Sequence, residues 1–209
     1  MATETRVRTR RRGLKNIYIA AVTTNTTESY AAATPIKLGN AISAKISDKF
    51  EIEKLYSDDG VEEVVSQYTG SEIEFEVNSL APQDRRDLLG NLYDNGFLVK
   101  GSEDTAPEIA IGFCSKKKNG KYEFTWYYCG SFGNGLDESY ETQADKIKTQ
   151  TNTLKGNFYA RQIETTIGTE KRHLYAINVD EANLIDANAD AKAAVTDWFT
   201  KVQEHKAAA

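Results

Sequence analysis

The residues best suited to covalent or metal chemistry in this chain are its two histidines, His173 and His205, and its two cysteines, Cys114 and Cys129. A nucleophilic thiol needs a base within hydrogen-bond reach. No local motif accompanies Cys114 or His173, and His205 stands close to the end of the sequence, a poor place for a positioned catalyst. A strand histidine and a buried thiol account for the pair more simply. The stretch Gly130-Ser131-Phe132-Gly133-Asn134-Gly135 is glycine-rich, but it lacks the Lys-Ser/Thr ending and helix that a phosphate loop requires. Asp58-Asp59-Gly60, followed by Glu62 and Glu63, lacks the alternate-position ligands of a calcium loop and reads as turn chemistry. Lys116-Lys117-Lys118 reads as a solvated tip. With no CxxC, HExxH or GxSxG, we expect no catalytic residues, no metal, no cofactor and no enzymatic activity.

The elements that carry these residues are mostly strands. Across 37–56, Ile42, Ala44, Ile46, Phe50 and Ile52 alternate with Ser43, Lys45, Ser47, Glu51 and Glu53, the period of a half-buried strand or strand pair. Two further strands are expected at 61–68 and 71–77. The second sets Ile73, Phe75 and Val77 against Glu72, Glu74 and Glu76, and three carboxylates on one face demand solvent or counter-charge. Residues 82–93 read as a helix with Pro82 in its first turn and Leu88, Leu89 and Leu92 as its apolar stripe, closed by Asn95-Gly96. Strands at 108–115 and 121–130 flank Asn119-Gly120, a hairpin signal. A two-residue turn there puts Cys114 opposite Thr125, with Cys129 roughly 13 Å further along, too far for a disulfide, so both are expected as reduced thiols. More strands are expected at 147–154, 156–165 and 172–179. Ala191, Ala194, Val195, Trp198, Phe199 and Val202 form the apolar face of a closing helix.

Charge is unevenly placed. Arg6, Arg8, Arg10, Arg11 and Arg12 crowd residues 1–12, whereas the whole chain carries a formal charge of −5, which argues against nucleic acid gripped by its phosphates. Residues 1–12 are expected as a basic flexible arm and 13–209 as one domain. No apolar stretch has signal-peptide or membrane-spanning length, so no membrane association is expected.

Several segments, in order, carry a resemblance. They are Gly13-Leu14-Lys15-Asn16-Ile17-Tyr18-Ile19-Ala20; Lys54-Leu55-Tyr56-Ser57-Asp58-Asp59-Gly60-Val61-Glu62-Glu63; the acidic strand at 70–77; Leu80 with Pro82; and Leu88-Leu89-Gly90. Ala110-Ile111-Gly112-Phe113, Tyr128 with Gly130, Lys146-Ile147, Gln150-Thr151-Asn152-Thr153-Leu154-Lys155-Gly156, and Trp198-Phe199 within 194–202 follow. In this order they resemble the major tail proteins, or tail tube proteins, of long-tailed siphophages, from about residue 13 to 203. The arginine-rich arm is longer and more basic than the resemblance leads one to expect.

The resemblance implies a mainly β fold, a β-sandwich or barrel-like core with a short mid-chain helix and a C-terminal amphipathic helix. It also implies a structural virion protein of the phage tail, made and assembled in the host cytoplasm. Its copies would form hexameric rings that stack into a tube, with tape measure, tail terminator and tail-tip proteins as partners and double-stranded DNA passing through without specific binding. With four lumen strands per subunit, such a ring closes a barrel of about 24 strands and about 48 Å, wide enough for duplex DNA. Glu51, Glu53, Glu72, Glu74 and Glu76 are then expected to line the bore and repel phosphates. Arg6, Arg8, Arg10, Arg11 and Arg12, with the segment 23–33, are expected to order only in contacts between rings or subunits. Two other readings fit the same residues: a tube protein of a contractile or secretion apparatus, and a monomeric β-sandwich binding module.

Overall fold

The computed structural model describes residues 6–57, 60–133, 135–138, 140 and 151–205. Its strands, in chain order, begin with β1 (Arg11–Asn25), β2 (Tyr30–Ala32), β3 (Ile36–Lys37), β4 (Ala41–Ser57) and β5 (Gly60–Val77). After α1 (Pro82–Leu89) come β6 (Leu92–Asp94), β7 (Phe97–Val99), β8 (Ile109–Lys117), β9 (Tyr122–Ser131) and β10 (Leu136–Glu138). The chain continues with β11 (Asn152–Tyr159), β12 (Glu164–Ile167), β13 (Glu170–His173) and β14 (Ala176–Asp180), then a 3-10 turn over Glu181–Asn183 and α2 (Ala189–Thr196). The fold is mainly β, as the sequence predicts. One antiparallel sheet runs β2-β1-β8-β9-β11-β5-β4, with β3, β10 and β14 paired along its length. No described helix is long and apolar enough to cross a membrane.

The sheet curls, so that β1 and β4, far apart in the strand order, come into contact. Inside the curl lie Ile17, Ile19, Ile73, Phe75, Ile111 and Phe158, all buried, with Leu80 and Leu88 entering from the α1 segment. Strand alternation sends the other set outward: Ala20, Ala110, Cys114, Phe124 and Trp126 meet Trp198 from the C-terminal segment. Both faces of β8 are therefore covered. An extra residue on β1 between the Lys15–Cys114 and Tyr18–Gly112 pairs makes a bulge, with Asn16 at φ 55°. That bulge shifts the alternation so that Leu14 and Ile17 both reach the inner core. On the outer side, the Trp126 indole N–H donates to the Trp198 carbonyl at 3.0 Å and the Tyr128 hydroxyl to the Gln203 carbonyl at 3.1 Å. Arg161, only 2% exposed, lies against the Tyr30 and Tyr128 rings (5.2 and 4.6 Å to their centroids) and 3.2 Å from Glu204. It ties the C-terminal segment to the sheet.

Several expectations need correcting. The β8–β9 connection is a three-residue loop: Lys117 N–H donates to Lys121 O, Gly120 N–H to Lys117 O, and Gly120 sits at φ 85°. The register slips by one, so Cys114 faces Phe124 and Thr125 faces Phe113; both cysteines are nonetheless free and buried. The mid-chain helix stops at Gly90, a left-handed cap at φ 74°. Asn95-Gly96 is instead the turn of the β6–β7 hairpin, with positive φ at both residues, and Leu92 leaves the helix stripe for an exposed strand position. The strands expected at 61–68 and 71–77 are one, because a bulge at Thr69 absorbs the break and β4 pairs along all of it. A single strand, β11, spans residues assigned to two, and most of 147–151 lies outside the described residues. Helix α2 ends at Thr196; Trp198, Phe199 and Val202 pack from the turns that follow.

Candidate assembly surface

The longest element pair is the β4–β5 hairpin, and its two halves differ. Near the body, the face carrying Ala44, Ile46, Ile73 and Phe75 packs on the inner core. Beyond the Lys49–Gly70 pair, the same alternation continues into a two-stranded ribbon that the body touches at Tyr68 and leaves bare further out. Phe50 and Tyr68 are paired there, then Ile52 with Ser66 and Lys54 with Val64. Phe50 is 52% exposed, Ile52 63% and Val64 55%. Tyr68 marks the transition: it stacks on Tyr175 with ring centroids 4.0 Å apart, while Phe50 meets it edge-on at 5.7 Å. Burial outweighs the Ser71 hydrogen bond and pushes the Tyr68 hydroxyl up to about 12. A second bulge next to Tyr56 lies close to the tip, where Leu55, Tyr56 and Val61 are also exposed. Asp58 and Asp59 lie outside the described residues.

The opposite face of the hairpin carries the five glutamates expected to line a bore. Register places Glu51, Glu53, Glu72, Glu74 and Glu76 on this one side, together with Glu63. They are not a uniform acidic field. Lys45 and Lys155 flank Glu74 across the two neighbouring strands, and Lys49 reaches Glu72 at 2.8 Å. The Lys49 hydrogen bond and charge hold the Glu72 carboxyl below its usual range. Glu76 accepts from Ser43 at 3.1 Å and Thr151 at 2.7 Å. On the ribbon, Glu51, Glu53 and Glu63 have no ion-pair partner among the described residues. The negative excess therefore lies in the projecting half.

The arginine-rich segment does not stand apart. β1 begins at Arg11, inside the stretch expected as an arm, and backbone pairing already engages Arg10, whose carbonyl accepts from Lys118 N–H at 3.0 Å. Val7 exchanges two hydrogen bonds with the Asn183 side chain, at 2.7 and 3.2 Å. Arg11 grips Glu123 through two bonds of 2.8 and 2.6 Å. Lys117, only 7% exposed, pairs with Asp180 beside it. Arg8, Arg10 and Arg12 remain exposed. The segment 23–33 is likewise an ordered hairpin: β2 pairs with the end of β1, and the Tyr30 hydroxyl donates to Tyr128 O at 2.7 Å. Lack of hydrophobic patterning hid these backbone and polar ties.

The residues considered for catalysis are kept apart. His173 Nε2 lies 3.9 Å from Glu164 and lines a cleft of about 700 Å³ with Phe113, Asp48, Tyr127 and Tyr175. Cys114 faces the other side of β8, and burial pushes its thiol up to about 11. Among the described residues no cluster of three or more His, Cys, Asp or Glu could hold a metal. Sequence reasoning missed the exposed stripe of the ribbon, the patch on the β6–β7 hairpin and the Arg161 tie. The first had a signal, the regular alternation of apolar residues, but nothing in that alternation tells a covered strand from a bare one. No protein-family model matches the chain, and no curated protein matches it.

Proposed function

We propose that this chain is the subunit of a phage tail tube: its copies form hexameric rings that stack into the hollow conduit through which double-stranded DNA is ejected. The observation that carries the reading is the β4–β5 ribbon, a long hairpin that continues the core-facing apolar stripe away from the body and bears carboxylates on its other side. An exposed apolar ribbon is an aggregation hazard in a protein that works alone. It is useful in one that assembles, because a head-to-tail ring or stack covers each such surface with a different surface of the next copy.

The acidic side suits a bore. Phosphates bind wherever lysines and arginines collect, by releasing counterions; a face where glutamates exceed cations leaves DNA free to slide. In this reading Glu51 and Glu53 supply most of the repulsion, while Glu72, Glu74 and Glu76 are tempered by Lys45, Lys49 and Lys155. The basic N-terminal strand, with exposed Arg8, Arg10 and Arg12, serves contacts between subunits. Tape measure, terminator and tail-tip proteins, a place in the virion, and assembly in the host cytoplasm belong to the same reading. Negative-stain electron microscopy of the concentrated protein tests it. Hollow tubes or six-fold rings are the expected result; a monodisperse monomer at every concentration would overturn it.

A further inference from the structure

The bare stripe of the ribbon has a counterpart at the other end of the same strand. β5 runs 18 residues from Gly60 to Val77, on the order of 55 Å at strand rise. Past Val77 the chain buries Leu80, forms α1 and turns directly into the β6–β7 hairpin. The register of that hairpin puts Leu92, Asp94, Phe97 and Val99 on one face. Its apolar members are 61%, 70% and 50% exposed in the order Leu92, Phe97, Val99.

We infer that, in a tube built from this chain, the apolar face of the ribbon on one copy docks on the Leu92–Phe97–Val99 face of the β6–β7 hairpin on the next. The contact rests on the tube reading and names its acceptor. Charge complementarity supports it. Lys54 follows Phe50 and Ile52 on the ribbon stripe, and Asp94 lies between Leu92 and Phe97 on the hairpin. Neither has an ion-pair partner among the described residues, so docking sets one cation against one anion inside an apolar contact. Area supports it as well. The exposed side chains on the apolar face of the ribbon, Phe50, Ile52, Tyr56, Val61 and Val64, offer roughly 500 Å² of apolar surface, the larger part of the ~800 Å² per partner of a stable interface. Position supplies the third argument. Unlike surfaces at opposite ends of one subunit allow a head-to-tail contact, which propagates from copy to copy, whereas a two-fold dimer using the same pair would close and give no ladder.

Single-cysteine variants test the pairing, because Cys114 and Cys129 are buried. Ile52→Cys and Phe97→Cys chains, mixed before assembly and treated with a short bis-maleimide, are expected to give cross-linked dimers that neither gives alone. The chain carrying both substitutions is expected to give a ladder. Ile52→Asp and Phe97→Asp should each raise the concentration needed for assembly at least tenfold, with circular dichroism unchanged. Lys54→Asp should do the same, and adding Asp94→Lys to it should restore assembly. Cross-linking of either single variant with itself, or none in the mixture while the wild type assembles, would overturn the contact. Ladders without hollow tubes would keep the contact and remove the tube; tubes built equally well by both Asp variants would do the reverse. A wild-type chain that stays monomeric removes both.

Discussion

At the scale of single residues, the outer layer depends on close approaches that leave no room for change. Gly112 lies directly under the Trp126 ring, and a Cβ placed there would come within 2.6 Å of it. Gly112→Ala is expected to cost about 1–3 kcal/mol, read from urea unfolding, because the indole is held by the Trp198 carbonyl and cannot step aside. Burial also decides the behaviour of the thiols. Cys114 is pushed up to about 11, and Cys129 is shifted the same way by burial first and Glu108 second. Both stay protonated at pH 8 in the folded chain and should resist maleimide until the protein unfolds; rapid labelling of the native protein would contradict their placement. Arg161 is buried in the same outer layer. It stacks on two tyrosine rings while its guanidinium donates to Thr165 at 2.6 Å and approaches Glu204. Lysine cannot reproduce that planar fork, so Arg161→Lys should destabilise by about 1–3 kcal/mol in the same assay, close to the effect of alanine.

At the scale of elements, the N-terminal strand is held by charge as well as by pairing with β8. The Arg11 hydrogen bond holds Glu123 below the usual carboxylate range. Burial pushes Asp180 upward, but hydrogen bonds from Lys117, Ala182 N–H and Asn183 together outweigh it and leave it lowered. A carboxylate depressed in the folded state contributes stability that is complete above its unfolded value, near 4, and is lost as pH falls through the folded one. Acid should therefore loosen residues 7–15 first, seen as faster amide exchange below about pH 4 with β5 and β11 still protected. A uniform loss of protection would contradict it. Sequence leads one to expect an arm here because arginines do not pattern like a strand. What holds it, Asn183 on Val7 and Glu123 on Arg11, comes from over a hundred residues away and leaves no local trace. The alternation of Ile73, Phe75 and Val77 with glutamates was legible because period two is a property of the strand itself. The β8–β9 turn is legible as a turn but not in length, since Asn-Gly fits both two- and three-residue loops, and the one-residue difference moves every cross-strand partner by one position. On the ribbon, sequence revealed which residues share a face. It could not reveal where the body stops covering that face.

At the scale of the whole molecule, the uneven charge on the β4–β5 hairpin makes a prediction about transport separable from assembly. Near the body each glutamate has a lysine or hydroxyl close by; on the ribbon Glu51, Glu53 and Glu63 have no ion-pair partner among the described residues. If the acidic side faces the bore, replacing Glu51 and Glu53 with lysine changes the lumen charge by four units per subunit and leaves the apolar stripe on the other face untouched. Tubes should still form, since side chains pointing into a water-filled bore make no contact between copies. They should now retain short duplex DNA at low salt and release it as salt rises, whereas wild-type tubes retain none. Retention by the variant, measured by co-sedimentation with labelled duplex, would tie these carboxylates to the path of the DNA. Loss of assembly in the same variant would instead put Glu51 and Glu53 between subunits, and the repulsion that keeps the bore open would have to come from elsewhere on the chain.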